Sequence, residues 1–335
     1  MINKKKILLI DYYNLFIRNF VVVPITNEDG EHFGGCFGFL KSMKSAIDMF
    51  NPDVVYVISD GPQAALRRKL IDKNYKADRK KEFKRGIIKA YDFLNEQEYQ
   101  DNFNMQLQRL EKYLSILPIK YMSVPYVEAD DIIAEITNTL SDNEEAIIYS
   151  TDADYKQLIN DNVSCYNPVA KLLSTKSVFL KKHGYLPDNY IYFKLVNGDK
   201  SDGVTGISGI GEKTFIKLFP EMKTESFDDI EDMLEQVRHA LDSGAKKYTK
   251  SILGKYQLLA ENEDLLYKNW KLMQLQDVDV SIQCKDMIKR LIASNPNKFN
   301  RIKLRIMFMQ DKLGGAVKYF DDWSRVFSRL MIGRG

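Results

Sequence analysis

The chain has 335 residues, 44% hydrophobic and 28% charged, with a formal net charge of only +3. That is the composition of a soluble globular protein with room for one large domain or two smaller ones, and it excludes a chain whose bulk charge alone marks a nucleic-acid binder. Three widely spaced cysteines, Cys36, Cys165 and Cys284, exclude a disulfide framework and a cysteine-based zinc site, and they fit a reducing cytoplasm.

Residues 6–11 read as a buried strand ending in Asp11. Its apolar run, 7–10, is too short for a signal peptide or a membrane span. Gly34 and Gly35 introduce a helix running to about Phe50. Residues 54–58 are a second buried strand, closed by Ser59-Asp60-Gly61. An acid after a strand is usually a turn residue, but the arrangement recurs. Residues 146–149 read as another buried strand, followed by Asp152 and Asp154, whose i,i+2 spacing puts both side chains on one face of an extended tip. Strands alternating with helices predict a parallel sheet, whose carboxyl edge would gather these acids.

Residues 61–85 carry ten basic residues against three acids, with Tyr75 and Phe83 interleaved. A charge run is ordinarily a solvated face. Its place directly after an acidic strand tip suits a segment that grips phosphates and stacks unpaired bases. Residues 86–117 read as helical, and 119–124 as a strand leading into Glu128-Ala-Asp130-Asp131. Those acids open a segment with helical spacing at Ile132, Ile133 and Ile136. Capping alone explains acids in a first helical turn. Five carboxylates crowded at Glu128, Asp130, Asp131, Asp152 and Asp154 would instead repel one another, which a hard divalent cation relieves. Residues 155–159 read as a short helix, 163–166 as a strand and 171–179 as a hairpin or edge. A helix over 189–196 leads to Asp199 and Asp202. A turn with Gly206, Gly209 and Gly211 then feeds a helix that places Lys213 and Lys217 on one face. It lacks the ending of a Walker loop and the preceding strand of a dinucleotide site. Beyond Pro220 the chain reads as all helix. Its tail, 298–335, has nine basic residues against three acids, with Phe299, Phe308, Trp323 and Phe327 at core-like spacing. The basic tail suits DNA, a protein partner or a plain solvated face.

Six blocks in one order resemble the structure-specific 5′-nuclease superfamily, which includes flap endonucleases, the 5′-nuclease domain of bacterial DNA polymerase I, phage 5′-exonucleases and the T-even phage ribonuclease H. They are Leu8-Leu-Ile-Asp11; Ile58-Ser-Asp60-Gly; Arg68 with Tyr75-Lys76-Ala-Asp-Arg79; Glu128-Ala-Asp130-Asp131; Ser150-Thr-Asp152-Ala-Asp154; and Gly198-Asp199-Lys-Ser-Asp202 leading into Gly206-Ile-Ser-Gly209-Ile-Gly211-Glu-Lys213. The resemblance covers about 7–219. It implies an α/β domain over 1–185, with a central mostly parallel sheet flanked by helices and an arch at about 75–117. A helical DNA-binding domain follows over 186–335, with a helix–hairpin–helix-like turn at 199–219 and a C-terminal extension.

It further implies two Mg²⁺ or Mn²⁺ ions per site. The first would be held by Asp11, Asp60, Glu128 and Asp130 with Asp131 nearby, the second by Asp152, Asp154, Asp199 and Asp202. Lys76 and Arg79 match catalytic cations. Arg68 matches a basic residue at the base of the arch and Tyr75 a base-stacking residue. Gly206, Gly209, Gly211, Lys213 and Lys217 match the duplex grip, with a potassium ion at the turn. The implied function is 5′→3′ exonuclease and flap endonuclease action on branched DNA or RNA–DNA hybrid during primer and flap removal, by a cytoplasmic monomer without a membrane. A single-strand-binding or clamp protein would meet the C-terminal helices. The three histidines fall outside every block, so a metal-activated water is the expected nucleophile. The competing readings are a catalytically silent junction binder and a PIN-like ribonuclease.

Overall fold

The computed structural model describes residues 4–77 and 90–331. Six strands form one sheet in the order β3-β2-β1-β4-β5-β6: β1 (Lys5–Asp11), β2 (Val54–Asp60), β3 (Lys120–Val124), β4 (Glu144–Tyr149), β5 (Val163–Asn167) and β6 (Leu172–Ser174). All pairings are parallel except β5 with β6. The apolar run of β1 is buried on both sides because successive residues face opposite ways. Leu8 and Ile10 enter one core, and Ile7 and Leu9 the other.

The first core is covered by α1 (Tyr12–Val22), α2 (Gly34–Phe50) and α4 (Glu96–Leu114), the second by α5 (Ala129–Asn138). The short α3 (Leu66–Ile71) follows β2. The arch expected over 75–117 is corrected in its described part. Leu110, Tyr113 and Leu114 of α4 are buried in the first core, so this helix is a structural wall. An amphipathic pattern cannot distinguish an arch from a core helix. The remainder, 78–89, and with it Arg79, lies outside the described residues. The segment read as a hairpin or edge over 171–179 divides: β6 is an antiparallel edge, and α6 (Lys176–His183) begins at a Thr175 cap.

A third, helical core holds α6, α7 (Tyr190–Asn197), α8 (Glu212–Leu218), α9 (Ile230–Ser243), α10 (Lys250–Glu261) and α11 (Glu263–Met273). The chain then returns to the sheet. Leu275, Val278 and Ile288 of the α12 (Ile282–Ala293) region join the second core. Leu304, Phe308, Val326 and Phe327 of α13 (Arg301–Gln310) and α14 (Phe320–Arg329) join the first. Asp311 accepts bonds from Arg109 Nε at 2.7 Å and Tyr113 OH at 2.5 Å, tying this return to α4. The tail aromatics are core, as their spacing predicts. The division at 185/186 differs from what the packing shows, because residues 275–327 wrap back onto both faces of the α/β unit. Among the described residues no helix is long and apolar enough to cross a membrane.

Candidate active site

The order 3-2-1-4 reverses direction between β1 and β4, and such a switch point opens a crevice at the carboxyl ends of the strands. Asp11, Asp60, Asp130 and Asp152 line a cleft of about 330 Å³ there, together with Asn14, Arg18 and Lys76. Each acid is positioned by a local bond. Asp11 caps α1, accepting Asn14 N at 3.1 Å. Asp60 Oδ1 accepts Ala129 N at 2.7 Å, fastening the tip of β2 to the start of α5. Tyr155 OH lies 3.1 Å from Asp11 Oδ2 and 2.7 Å from Asp130 Oδ1. Its single hydroxyl hydrogen thus serves two carboxylates. Asn14 Oδ1 accepts the Thr151 N–H at 3.0 Å, drawing the tip after β4 toward α1.

Burial, and then the charge of Asp60, pushes Asp11 up to about 6. Burial and the Asp152 charge push Asp130 well above the usual carboxylate range. Asp152 rises through burial and the Asp154 charge. Crowded, buried, oxygen-only donors of this kind suit a hard divalent cation. Among the described residues no group of three or more Asp, Glu, His or Cys side chains stands in a coordinating arrangement as placed. The acids share a cleft wall rather than a single point. The chemistry of the donor set fits the ion.

Glu128 is buried and differs from its cleft neighbours. Burial alone would raise its pKa, but the charges of Arg68 and Lys76, both bonded to it, hold it at about 2. Lys76 also lines the acid cleft, and its backbone N–H donates to Asp202 O at 2.8 Å. Asp131, expected near the first ion, is ion-paired in the same way as Glu128. Its oxygens are taken by Arg68 Nη2 at 2.7 Å and Arg67 Nη2 at 3.1 Å, and it is buried. Arg68, expected to touch nucleic acid, is 3% exposed and also donates to Leu272 O at 2.8 Å. Tyr75, expected to stack a base, is likewise 3% exposed, with its hydroxyl 3.3 Å from Glu128 Oε2. These three form a buried polar brace behind the cleft. Arg68 and Tyr75 read in the sequence as a basic, aromatic surface; the Leu272 carbonyl of α11 and the helical core take them inside instead.

Asp154 and Asp199 meet around another lysine. Lys194 Nζ lies 2.5 Å from Asp154 Oδ1, without hydrogen-bond alignment, and 2.6 Å from Asp199 Oδ2. The Lys194 and Ser201 bonds outweigh burial and hold Asp199 at about 2. Asp202 follows on the same turn, with Ser201 Oγ 3.4 Å from its Oδ1.

The glycine-rich turn lines a cleft of about 590 Å³ from Asn197 to Gly211. Gly206 is required there, because a Cβ would stand 2.2 Å from Asn197 O. Gly209 takes φ +88°, and Lys213 and Lys217 are exposed on α8. Sequence reasoning missed Tyr155 and Lys194. It also missed Asn14 and Arg18, which follow Asp11 on α1 and line the same cleft.

A family model described as the 5′-3′ exonuclease, N-terminal resolvase-like domain matches residues 6–184. The 5′-3′ exonuclease of Aquifex aeolicus is 27% identical over 320 residues, 94% of this chain and 96% of its own length. The thermostable DNA polymerase I of Thermus caldophilus is 26% identical over 260 residues, 77% of this chain but only 28% of the polymerase. Among solved structures, the bacteriophage T5 flap endonuclease in a pseudo-enzyme–product complex with DNA and metal ions has the same fold. It matches at TM-score 0.65 and 19% identity, over 86% of this chain and 98% of that one.

Proposed function

Because this chain belongs to the 5′-3′ exonuclease family, we propose that it hydrolyses phosphodiester bonds near the 5′ ends of branched DNA or RNA–DNA duplex, as an exonuclease and flap endonuclease in primer and flap removal. The observation that carries this reading is the cleft where Asp11, Asp60, Asp130 and Asp152 meet Lys76, from segments up to 141 positions apart in sequence (11 to 152). Two Mg²⁺ or Mn²⁺ ions would be held there. Asp11, Asp60, Asp130 and Glu128 would serve the first, and Asp152, Asp154, Asp199 and Asp202 the second. Bound ions of this kind activate water and neutralise phosphate charge.

The chain's own residues do the rest. Lys76 stands on the cleft wall; burial works against its charge, but the carboxylates of Asp130 and Glu128 outweigh burial and hold it protonated, ready to meet a phosphate oxygen. Arg18 lines the same cleft. Tyr155 fixes Asp11 and Asp130 relative to each other. Lys213, Lys217 and the backbone amides of the glycine-rich turn bind duplex phosphates, with a potassium ion at that turn. The backbone bond from Lys76 to Asp202 ties the cleft to this grip.

A labelled 5′-flap DNA, an RNA–DNA hybrid and a single-stranded RNA, each incubated with Mg²⁺ and with EDTA, test the proposal. Cutting of the first two in Mg²⁺ alone is expected. Asp152→Asn should reduce cutting at least ~100-fold, in keeping with loss of a group that acts on transition-state charge, while flap binding persists. Unchanged cutting by Asp152→Asn would remove the cleft from the chemistry.

A further inference from the structure

Beside the acid cleft opens a larger one, about 850 Å³, between the tips of β2 and β3, the start of α3 and α4. Tyr13 and Asp60 line both clefts, so a strand crossing Asp60 passes from one into the other. The new cleft has two half-buried phenol rings, Tyr13 and Tyr121, and both interact with the Ser59 hydroxyl. Around them stand the amide of Gln63, the ammonium of Lys69 and the carboxylate of Glu111, all exposed.

The wall is held in a costly shape. Gln63 sits at φ +57°, and Tyr126, whose N–H donates to Pro62 O at 2.9 Å, at φ +66°. With Lys76 at φ +55°, two of the six non-glycine residues at positive φ among the described residues, Gln63 and Lys76, line these two clefts, and Tyr126 is bonded to the Pro62 that lines the larger one. Left-handed backbone at a bulky residue persists where the surroundings over-determine it, and such positions cluster at ligand sites.

The layout gives a direction. The glycine-rich turn reaches the acids from the β4 side, through Lys194 on Asp154 and Asp199. The larger cleft lies on the β2–β3 side. A substrate gripped by its duplex at the turn therefore sends its unpaired arm across Asp60 into this cleft. We propose that the cleft is a nucleobase site for the unpaired 5′ arm of a branched substrate, with the base against Tyr13 and Tyr121 and its edge met by Gln63 and Glu111. The rings offer a stacking face to any base. A carboxylate repels phosphates but accepts from exocyclic amines such as that of cytosine, and an amide pairs with adenine. Lys69 serves the neighbouring phosphate.

This site rests on the nuclease reading, and the two are separable by experiment. Binding is measured by fluorescence anisotropy in EDTA, so that nothing is cut. The probes are a duplex with a natural 5′ flap, the same duplex with an abasic flap, and the flapless duplex. Wild type should prefer the natural over the abasic flap about tenfold, within what stacking one base on an aromatic ring is worth. Tyr121→Leu should lose most of that preference and Gln63→Gly part of it, while flapless affinity stays within about twofold; Tyr121→Phe should retain it. Gln63→Gly also relieves the left-handed strain, so its melting temperature should be unchanged or higher, and misfolding cannot explain its loss. No preference in wild type, or full preference in both variants, overturns the site. Flap cutting by wild type in Mg²⁺ reports on the nuclease reading alone. Cutting without base preference sinks only the nucleobase site, and base preference without cutting sinks only the nuclease reading.

Discussion

Arg68 binds three acceptors from two distant parts of the chain: Leu272 O of α11, and Glu128 and Asp131 at the start of α5. A guanidinium suits this because its fork donates in fixed directions and stays charged when buried. Removing it leaves two buried carboxylates short of a partner, so Arg68→Ala should destabilise the protein by about 3–5 kcal/mol, read from urea denaturation. A phosphate-binding arginine would instead leave stability unchanged and weaken duplex affinity. Tyr155 holds two carboxylates with one hydroxyl, and its ring is buried. Tyr155→Phe keeps the ring, so the fold should persist. Affinity for Mn²⁺, titrated directly, should fall about 10–100-fold, as when a partner orienting metal ligands is lost.

At the scale of elements, the strand tips were legible and the braces were not. Buried parallel strands are continuous apolar runs, so Asp11, Asp60 and Asp152 announce themselves where polarity returns. The burial of Arg68 depends on α11, about two hundred residues later, and that of Tyr75 on the helical core, and no local pattern encodes either. The same holds for α4, whose amphipathic stripe fits an arch as well as the core it occupies. The turn before α8 was legible from its glycines, since Gly206 leaves no room for a Cβ. Lys213 and Lys217 are exposed four residues apart on one face of α8. If each neutralises one phosphate, replacing either by Ala should lower the slope of log affinity against log salt by about one, equally for all sequences. Titrations from low to moderate salt check this, and an unchanged slope would detach α8 from the backbone.

For the whole molecule, carboxylates in and beside the cleft that are shifted in opposite directions set the response to pH. Asp11 moves from its ordinary 3.8 up to about 6, so the folded chain binds more protons than the unfolded one in that range and stability falls as pH rises through it. Glu128 moves from 4.5 down to about 2, and Asp199 from 3.8 to about 2. Their contribution is present above their ordinary values and is lost as pH falls toward 2. The metal-free protein should therefore melt highest near pH 4.5, at about the crossing of these two trends, and lower at pH 7.5 and pH 3. Saturating Mg²⁺ should flatten the limb above that maximum, because the ion takes the place of the proton. Calorimetry at several pH values, with and without the ion, decides it.

The return of α13 and α14 to the first core bears on how the chain is made. A ribosome delivers β1 and α2 long before Phe308, Trp323 and Phe327, yet these late aromatics help close the layer over the earliest helices. Until they emerge, Phe37 and its neighbours lack their cover, and contacts spanning nearly three hundred residues form slowly. The nascent chain is thus expected to complete the layer over its earliest helices only once synthesis has passed α14.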